Sequence, residues 1–305
     1  MINEHIAEWV GCRVKLFDPA SVPDYSGTVY RLATDWDMKE SFAGLFEKFT
    51  ANPGVTETKA LVIGAFHGDD PGQSTEEVVQ LLVAARHLLP NLRHLFLGDI
   101  LSEENEISWI IQSDISPIFQ AYPALESFVI RGADGLSIGG GIDHASLRSL
   151  AFQSGGLPVE IVRDLAASEL PALRHLEIWT GSDNYGGNSS VGDVQPFLDG
   201  ARWPNLISLG LRNSEYTDAI AQALIGAPVL ERLEALDLSM GTLSDRGAEA
   251  LLANAALSRL KILDLHHHFM SDAVMARVKA RFPQADVSVQ EQAEDESEIY
   301  ISVSE

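Results

Sequence analysis

Apolar positions along this chain recur in one unit, L-x-x-L-x-L. It reads Leu92-Leu95-Leu97, Leu125-Phe128-Ile130, Leu147-Leu150-Phe152, Leu173-Leu176-Ile178, Leu206-Leu209-Leu211, Leu233-Leu236-Leu238 and Leu260-Leu263-Leu265. Successive first leucines are 33, 22, 26, 33, 27 and 27 residues apart. Four units open alike, with Pro90-Asn91-Leu92, Pro123-Ala124-Leu125, Pro171-Ala172-Leu173 and Pro204-Asn205-Leu206. Side chains alternate along a strand, so the two apolar residues of L-x-L share a face and the residue between them points the other way. The unit therefore predicts a short strand that is buried on one side. Stacking such units builds a parallel sheet in which each coil buries its apolar face only against its neighbours. Leu61 with Ile63, and Val287 with Val289, read as degenerate flanking strands, giving roughly nine coils.

The segments between strands carry helical spacing. Ser74-Thr75-Glu76-Glu77 reads as a cap before Val78, Leu81, Leu82 and Ala85, and Pro158 opens a second helix over Val159–Arg163. Three late helices start alike, at Thr217-Asp218, Ser244-Asp245 and Ser271-Asp272. There the hydroxyl accepts from unpaired amides and the carboxylate suits the positive end of the helix dipole. The two 33-residue spacings carry insertions, which map to loops on one face of a solenoid. The expected organisation is an N-terminal cap over 1–57, repeats over 58–290 and an acidic C-terminal tail over 291–305. The cap draws on Ile6, Trp9, Val10, Leu16 and Phe17, then on a helix with Phe42, Leu45, Phe46 and Phe49. In the tail, Ile299–Val303 alternates like an edge strand, with a frayed terminus as the other reading.

This pattern predicts an α/β fold, a leucine-rich-repeat horseshoe solenoid wound as a right-handed β-α superhelix with N- and C-terminal caps. Late repeats such as Leu236-Asp237-Leu238 followed by Leu243–Leu251 resemble ribonuclease-inhibitor-type leucine-rich repeats. The whole chain resembles a family of uncharacterised bacterial cytoplasmic leucine-rich-repeat proteins. The passages that carry this are Ile107–Ile110, Gly155–Pro158, Asp264–Phe269 and Val303–Glu305. That resemblance implies a fold and no activity. One departure stands out. The turn position usually held by a buried Asn is here Ile100, Ala133, Gly155, Gly181, Ser214, Gly241 and His268. Small residues at several of these let the turn pack tightly, but no asparagine ladder satisfies its backbone groups.

Composition narrows the function. The 305 residues carry 21 Lys+Arg against 44 Asp+Glu, a formal charge of −23. Such a surface repels phosphate, which argues against nucleic acid and against an anionic membrane, and leaves room for a basic partner. No apolar run is long enough to span a bilayer. Cys12 is the only cysteine, so neither an internal disulfide nor a thiolate metal cage can form. With no signal peptide evident at the N-terminus, the expected location is cytoplasmic. Residues 94–130 hold six acids, no Lys or Arg, and Trp109; this reads as a solvated loop or as a receiver for a basic partner.

Candidate chemistry is sparse. Gly68-Asp69-Asp70 and Gly139–Asp143 read as turns and lack the Lys-Ser or Lys-Thr of a phosphate loop. No nucleophile–base–orienter set is present, so the chain is expected not to be an enzyme and to carry no cofactor. His266-His267-His268 lies on a strand and its turn, where consecutive side chains diverge rather than converge on a metal. Asp264 with His266, joined by Asp237, offers at most a weak His/carboxylate site, and no metal site is assigned. Partner binding is expected instead on the concave face, through Arg131, Trp179, Arg212, Asp237, Asp264, His266 and His267. Trp and Arg favour interface hot spots, and solenoid concave faces bind other proteins. The alternatives are a small-ligand or metal-sensing protein using the Asp264/His266 end, or a non-catalytic subunit of an enzyme system.

Overall fold

The computed structural model describes residues 2–34, 40–68, 70, 72–295 and 298–305. Asp69 of the expected Gly68–Asp70 turn, and Glu296 and Ser297 of the acidic stretch, lie outside the described residues. The chain forms two compact units, Met1–Gln153 with Ser168–Leu170 and Glu305, and Ser154–Ala167 with Pro171–Ser304.

The first unit holds strands β1 (Glu8–Trp9), β2 (Cys12–Leu16), β3 (Thr28–Leu32), β4 (Ala60–Ile63), β5 (His94–Leu97), β6 (Ser127–Arg131) and β7 (Ser149–Gln153). Helices α1 (Phe42–Thr50), α2 (Glu76–Ala84) and α3 (Ser116–Ala121) lie between them in sequence. The strands pair in chain order, β1 antiparallel to β2 and the rest parallel. Register follows the repeat: Leu61, Leu95, Phe128 and Leu150 align, as do Ile63, Leu97, Ile130 and Phe152, and all are buried. Ser41 caps α1 by accepting from the Gly44 amide at 3.2 Å, and Phe42, Leu45, Phe46 and Phe49 form its buried face. At α2 it is Ser74 that accepts from an amide, that of Glu76. The Thr75 hydroxyl turns inward to Gln112, 3.0 Å away.

The second unit holds α4 (Val159–Ala167), β8 (His175–Gly181), α5 (Val191–Asp199), β9 (Ser208–Ser214), α6 (Thr217–Ala223), β10 (Ala235–Asp237), α7 (Asp245–Ala253), β11 (Ile262–Asp264), α8 (Asp272–Arg281) and β12 (Ala285–Asp286). Its strands are parallel and again in chain order, with Leu176, Leu209, Leu236 and Leu263 aligned and buried. The last strand is shorter than Val287 and Val289 suggest. It stops at Asp286, and Val289 is exposed at φ +57°. Both units are strand–turn–helix coils of a leucine-rich-repeat solenoid, α/β in class.

In place of the asparagine ladder, different side chains at or near several of the turns bond to buried backbone groups. His268 is fully buried; its Nε2 lies 3.1 Å from the Val287 carbonyl and its Nδ1 accepts from the Met270 amide at 3.2 Å. Gln112 donates to the Arg131 carbonyl, Ser154 to that of Trp179, and Thr217 to that of Ser214. A single polar side chain thus satisfies a buried backbone group that would otherwise cost the desolvation of an unmade bond.

The helix-start aspartates act on the following coil. Asp218 accepts from the Ser244 amide at 2.9 Å and from its hydroxyl, Asp245 accepts from the Ser271 amide at 2.7 Å, and Asp272 accepts from Gln290 at 2.9 Å. Each carboxylate thereby holds the start of the next coil as well as suiting its own helix dipole. Asp218→Ala should lower stability by about 1–2 kcal/mol, the worth of a lost cap bond to a half-buried amide. Urea unfolding measures it, and an unchanged midpoint would show that the lacing contributes nothing.

Candidate functional site

The residues between the paired leucines decide what each unit presents. In the first unit this row is apolar: Val62, Phe96, Val129 and Ala151 are in register. The N-terminal segment lies over it, with Ile6 and Trp9 packed against the cluster of Val29, Ala60, Val62 and Phe96. The Trp9 ring meets those of Phe96 and His94 edge-on, at 6.2 and 6.0 Å. Beyond this row sits a buried charged network. Asp99 is fully buried, with His5 at 3.3 Å and Arg131 at 3.5 Å. Burial pushes the Asp99 carboxyl up, against the opposing pull of Arg131, His5, Arg31 and the Ile6 amide. Arg131, only 5% exposed, also donates to the Ile100 carbonyl at 3.0 Å and to Gln153 at 3.0 Å, and lies over the Phe96 ring. The expected binding residue Arg131 therefore sits inside a network beneath the N-terminal segment.

In the second unit the corresponding row is charged. Glu177, Gly210, Asp237, Asp264 and Asp286 align across β8 to β12. Strand spacing sets neighbours on this row about 4.8 Å apart. Gly210 leaves a gap that Arg212 fills. Its guanidinium reaches Glu177 at 3.3 Å and Asp237 at 3.1 Å, donates to Ser239 at 3.0 Å, and covers the Trp179 ring at 5.3 Å from its centre. Trp179 donates its indole N–H to Glu177 at 2.7 Å and is 5% exposed. One arginine thus touches two of the four aligned carboxylates, and Glu177, Asp237 and Asp264 keep a quarter to a third of their side chains in contact with solvent.

Five of the expected residues, Trp179, Arg212, Asp237, Asp264 and His266, come together here. His267 does not join them: it is buried, with its ring against the Tyr300 carbonyl and Glu291. Glu177 and Asp286 complete the row. Both can be read from the sequence by aligning the repeats on their leucines, since each follows a first core position by one residue or precedes a second by one. Among the described residues, no group of three or more His, Cys, Asp or Glu side chains is placed to hold a metal ion. No helix among them is long and apolar enough to cross a membrane.

The electrostatics of the row are uneven. Burial pushes the Asp237 carboxyl up despite Arg212 and the Ser239 bonds. Burial also works to raise Asp264, but hydrogen bonds from the His266 ring, at 2.8 Å, and from its amide hold it below the usual range. The same ring contact raises the His266 pKa. Two residues on, burial lowers that of His268.

This is a leucine-rich-repeat protein with a closed apolar row in one unit and an open acidic row in the other. No family model and no curated protein matches the sequence. Among solved structures, the chain is similar to a Bacteroides fragilis protein determined as a Northeast Structural Genomics Consortium target. Identity is 30% over 89% of this chain and 76% of that one, with a TM-score of 0.82. The chain belongs to the same family as that Bacteroides fragilis protein. Weaker likenesses are to the mouse RP105/MD-1 complex (16% identity, 89% of this chain, 51% of that one, TM-score 0.34) and to a Leptospira interrogans leucine-rich-repeat protein (12%, 90%, 99%, 0.20). Neither carries an argument about this chain.

The neighbouring histidines should titrate in opposite directions around the ordinary value of 6.5. His266, raised by Asp264, adds stability below pH 6.5 that is lost as pH rises through its folded value. His268, lowered by burial, adds stability above pH 6.5 that is lost as pH falls through its folded value. A two-dimensional NMR titration of the imidazoles checks both, and Asp264→Asn should bring His266 back down. Matching midpoints for the two rings would contradict the environments described.

Proposed function

We propose that this chain is a protein-interaction module whose open strand face takes a basic segment of a partner protein. The observation that carries the reading is the aligned row of Glu177, Asp237, Asp264 and Asp286, with Arg212 as the cation set among them. Carboxylates on adjacent strands repel one another, and a guanidinium or ammonium laid along the row relieves that repulsion. Arg212 already does this between Glu177 and Asp237, and so marks how a partner arginine would sit between Asp237 and Asp264. The net charge of −23 adds long-range attraction for the same partner and disfavours nucleic acid. The lone cysteine fits a reducing, cytoplasmic setting. A row of like charges open on one side suits the capture of a cation, so the reading is of a binding protein rather than an enzyme. Arg131, enclosed beneath the N-terminal segment, plays no direct part.

Short synthetic peptides rich in Arg and Lys should bind the chain, and the Asp237→Asn/Asp264→Asn double variant should weaken them by about tenfold or more. Raising salt from about 0.05 M to about 0.5 M should weaken binding further, because exposed charges are screened within a Debye length. Fluorescence anisotropy measures both. Binding indifferent to the substitutions and to salt would move the interface off this row.

A further inference from the structure

Beside the charged row runs a second feature, which the row touches where Arg212 donates to the Met240 sulfur at 3.0 Å. Asn213, Met240 and His267 occupy the same position in successive coils, two residues past the second core residue, and all three have left-handed backbones at φ +49°, +67° and +55°. None is glycine, so each holds a conformation that L side chains rarely adopt. Their amides still donate to the next coil, to the carbonyls of Ser239, His266 and Ser288. The Met240 carbonyl instead accepts from the Ser302 amide at 2.8 Å.

Residues 300–303 lie along this line. The Asn213 side chain, fully buried, grips the main chain of Val303 from both sides: its Oδ1 accepts from the Val303 amide at 3.0 Å and its Nδ2 donates to the Val303 carbonyl. The His267 ring reaches the Tyr300 carbonyl at 3.3 Å. Ile301 and Val303 are each 3% exposed, whereas Tyr300 between the acidic stretch and this line is 60% exposed, resting edge-on against Phe269. The groove thus reads main-chain amides and carbonyls and two aliphatic side chains two residues apart. Those features belong to any extended apolar-x-apolar segment and do not depend on this chain supplying it.

We infer that the Asn213–Met240–His267 line is a peptide-binding groove, filled here in cis by residues 300–303, that takes an extended partner segment with aliphatic side chains at alternate positions. Strained backbone held in place by its surroundings is a mark of such sites. Buried Asn213 keeps only the Ser154 carbonyl when the segment leaves, so the groove favours exchange of one segment for another over standing empty. The cis segment follows Glu291, Glu294, Asp295 and Glu298, which bring more negative charge towards an acidic row. A competitor with a basic flank avoids that repulsion; this last preference alone rests on the function proposed above.

The test uses a labelled synthetic peptide of residues 298–305 and fluorescence anisotropy. A chain lacking residues 299–305 should bind it saturably, and the full chain at least tenfold more weakly, because its own segment competes. Asn213→Ala in the shortened chain, or Ile301→Asp with Val303→Asp in the peptide, should remove most of the binding. A shortened chain that is folded by circular dichroism yet binds no peptide overturns the groove. A lysine-flanked version of the peptide separates the two readings. Equal binding of both versions leaves the groove standing and counts against the acidic row, while stronger binding of the lysine version supports both. Should the shortened chain not fold, hydrogen exchange on the full chain decides. The Ser302 and Val303 amides should exchange at least tenfold faster than the amides of Leu238 and Leu265, which donate to the next coil, through local opening of the segment. Exchange at the same rate as those amides would make the segment a fixed part of the core and overturn the proposal.

Discussion

Everything in this molecule depends on coils that stack in register. A single coil has one apolar face and no interior of its own, so Leu176, Leu209, Leu236 and Leu263 become a core only when aligned. Alignment has a polar requirement as well as an apolar one. Where the chain turns out of each strand, buried amides and carbonyls need partners that the parallel ladder no longer supplies. His268 meets that need with an imidazole, Gln112 with an amide, and Ser154 and Thr217 with hydroxyls. The aspartates at helix starts add a second set of ties, from each coil to the beginning of the next.

Register then determines what faces outward. A one-residue slip would exchange buried and exposed sets on every strand. In the first unit the correct register exposes Val62, Phe96 and Val129, an apolar stripe that water disfavours, and the segment carrying Ile6 and Trp9 covers it. In the second unit the same positions, Gly210 apart, are carboxylates, which are stable in water and need no such cover. The difference between a closed face and an open one follows from which residue type sits between two leucines.

The strands and their buried faces are legible in the sequence because the two-residue alternation is local and repeated. The Asp237, Asp264 and His266 group is legible for the same reason, since it lies in consecutive repeats of equal length. Arg212 and Trp179 are legible as outward residues, though their pairing with Glu177 depends on the space left by Gly210. Less accessible are the positions held by contacts between distant parts of the chain. Arg131 is an outward residue by alternation, yet Asp99 and the N-terminal segment enclose it. Ile301 and Val303 look like a strand by alternation, but their segment is held by the Asn213 side chain and the Met240 carbonyl, both on left-handed residues, and not by a sheet edge. Asn213, Met240 and His267 share no residue type, so nothing in the sequence marks their common backbone.

The central claim is that one buried polar side chain at the turn keeps a coil in register without an asparagine ladder. His268 tests it most directly, because both ring nitrogens meet backbone groups and no other coil uses a histidine there. Urea unfolding of His268→Ala should show a loss of about 2–3 kcal/mol, since two buried backbone groups lose their partner. His268→Asn should recover much of that loss, because an amide can accept from one backbone group and donate to the other. Equal stabilities for the two variants, or a neutral His268→Ala, would contradict the account.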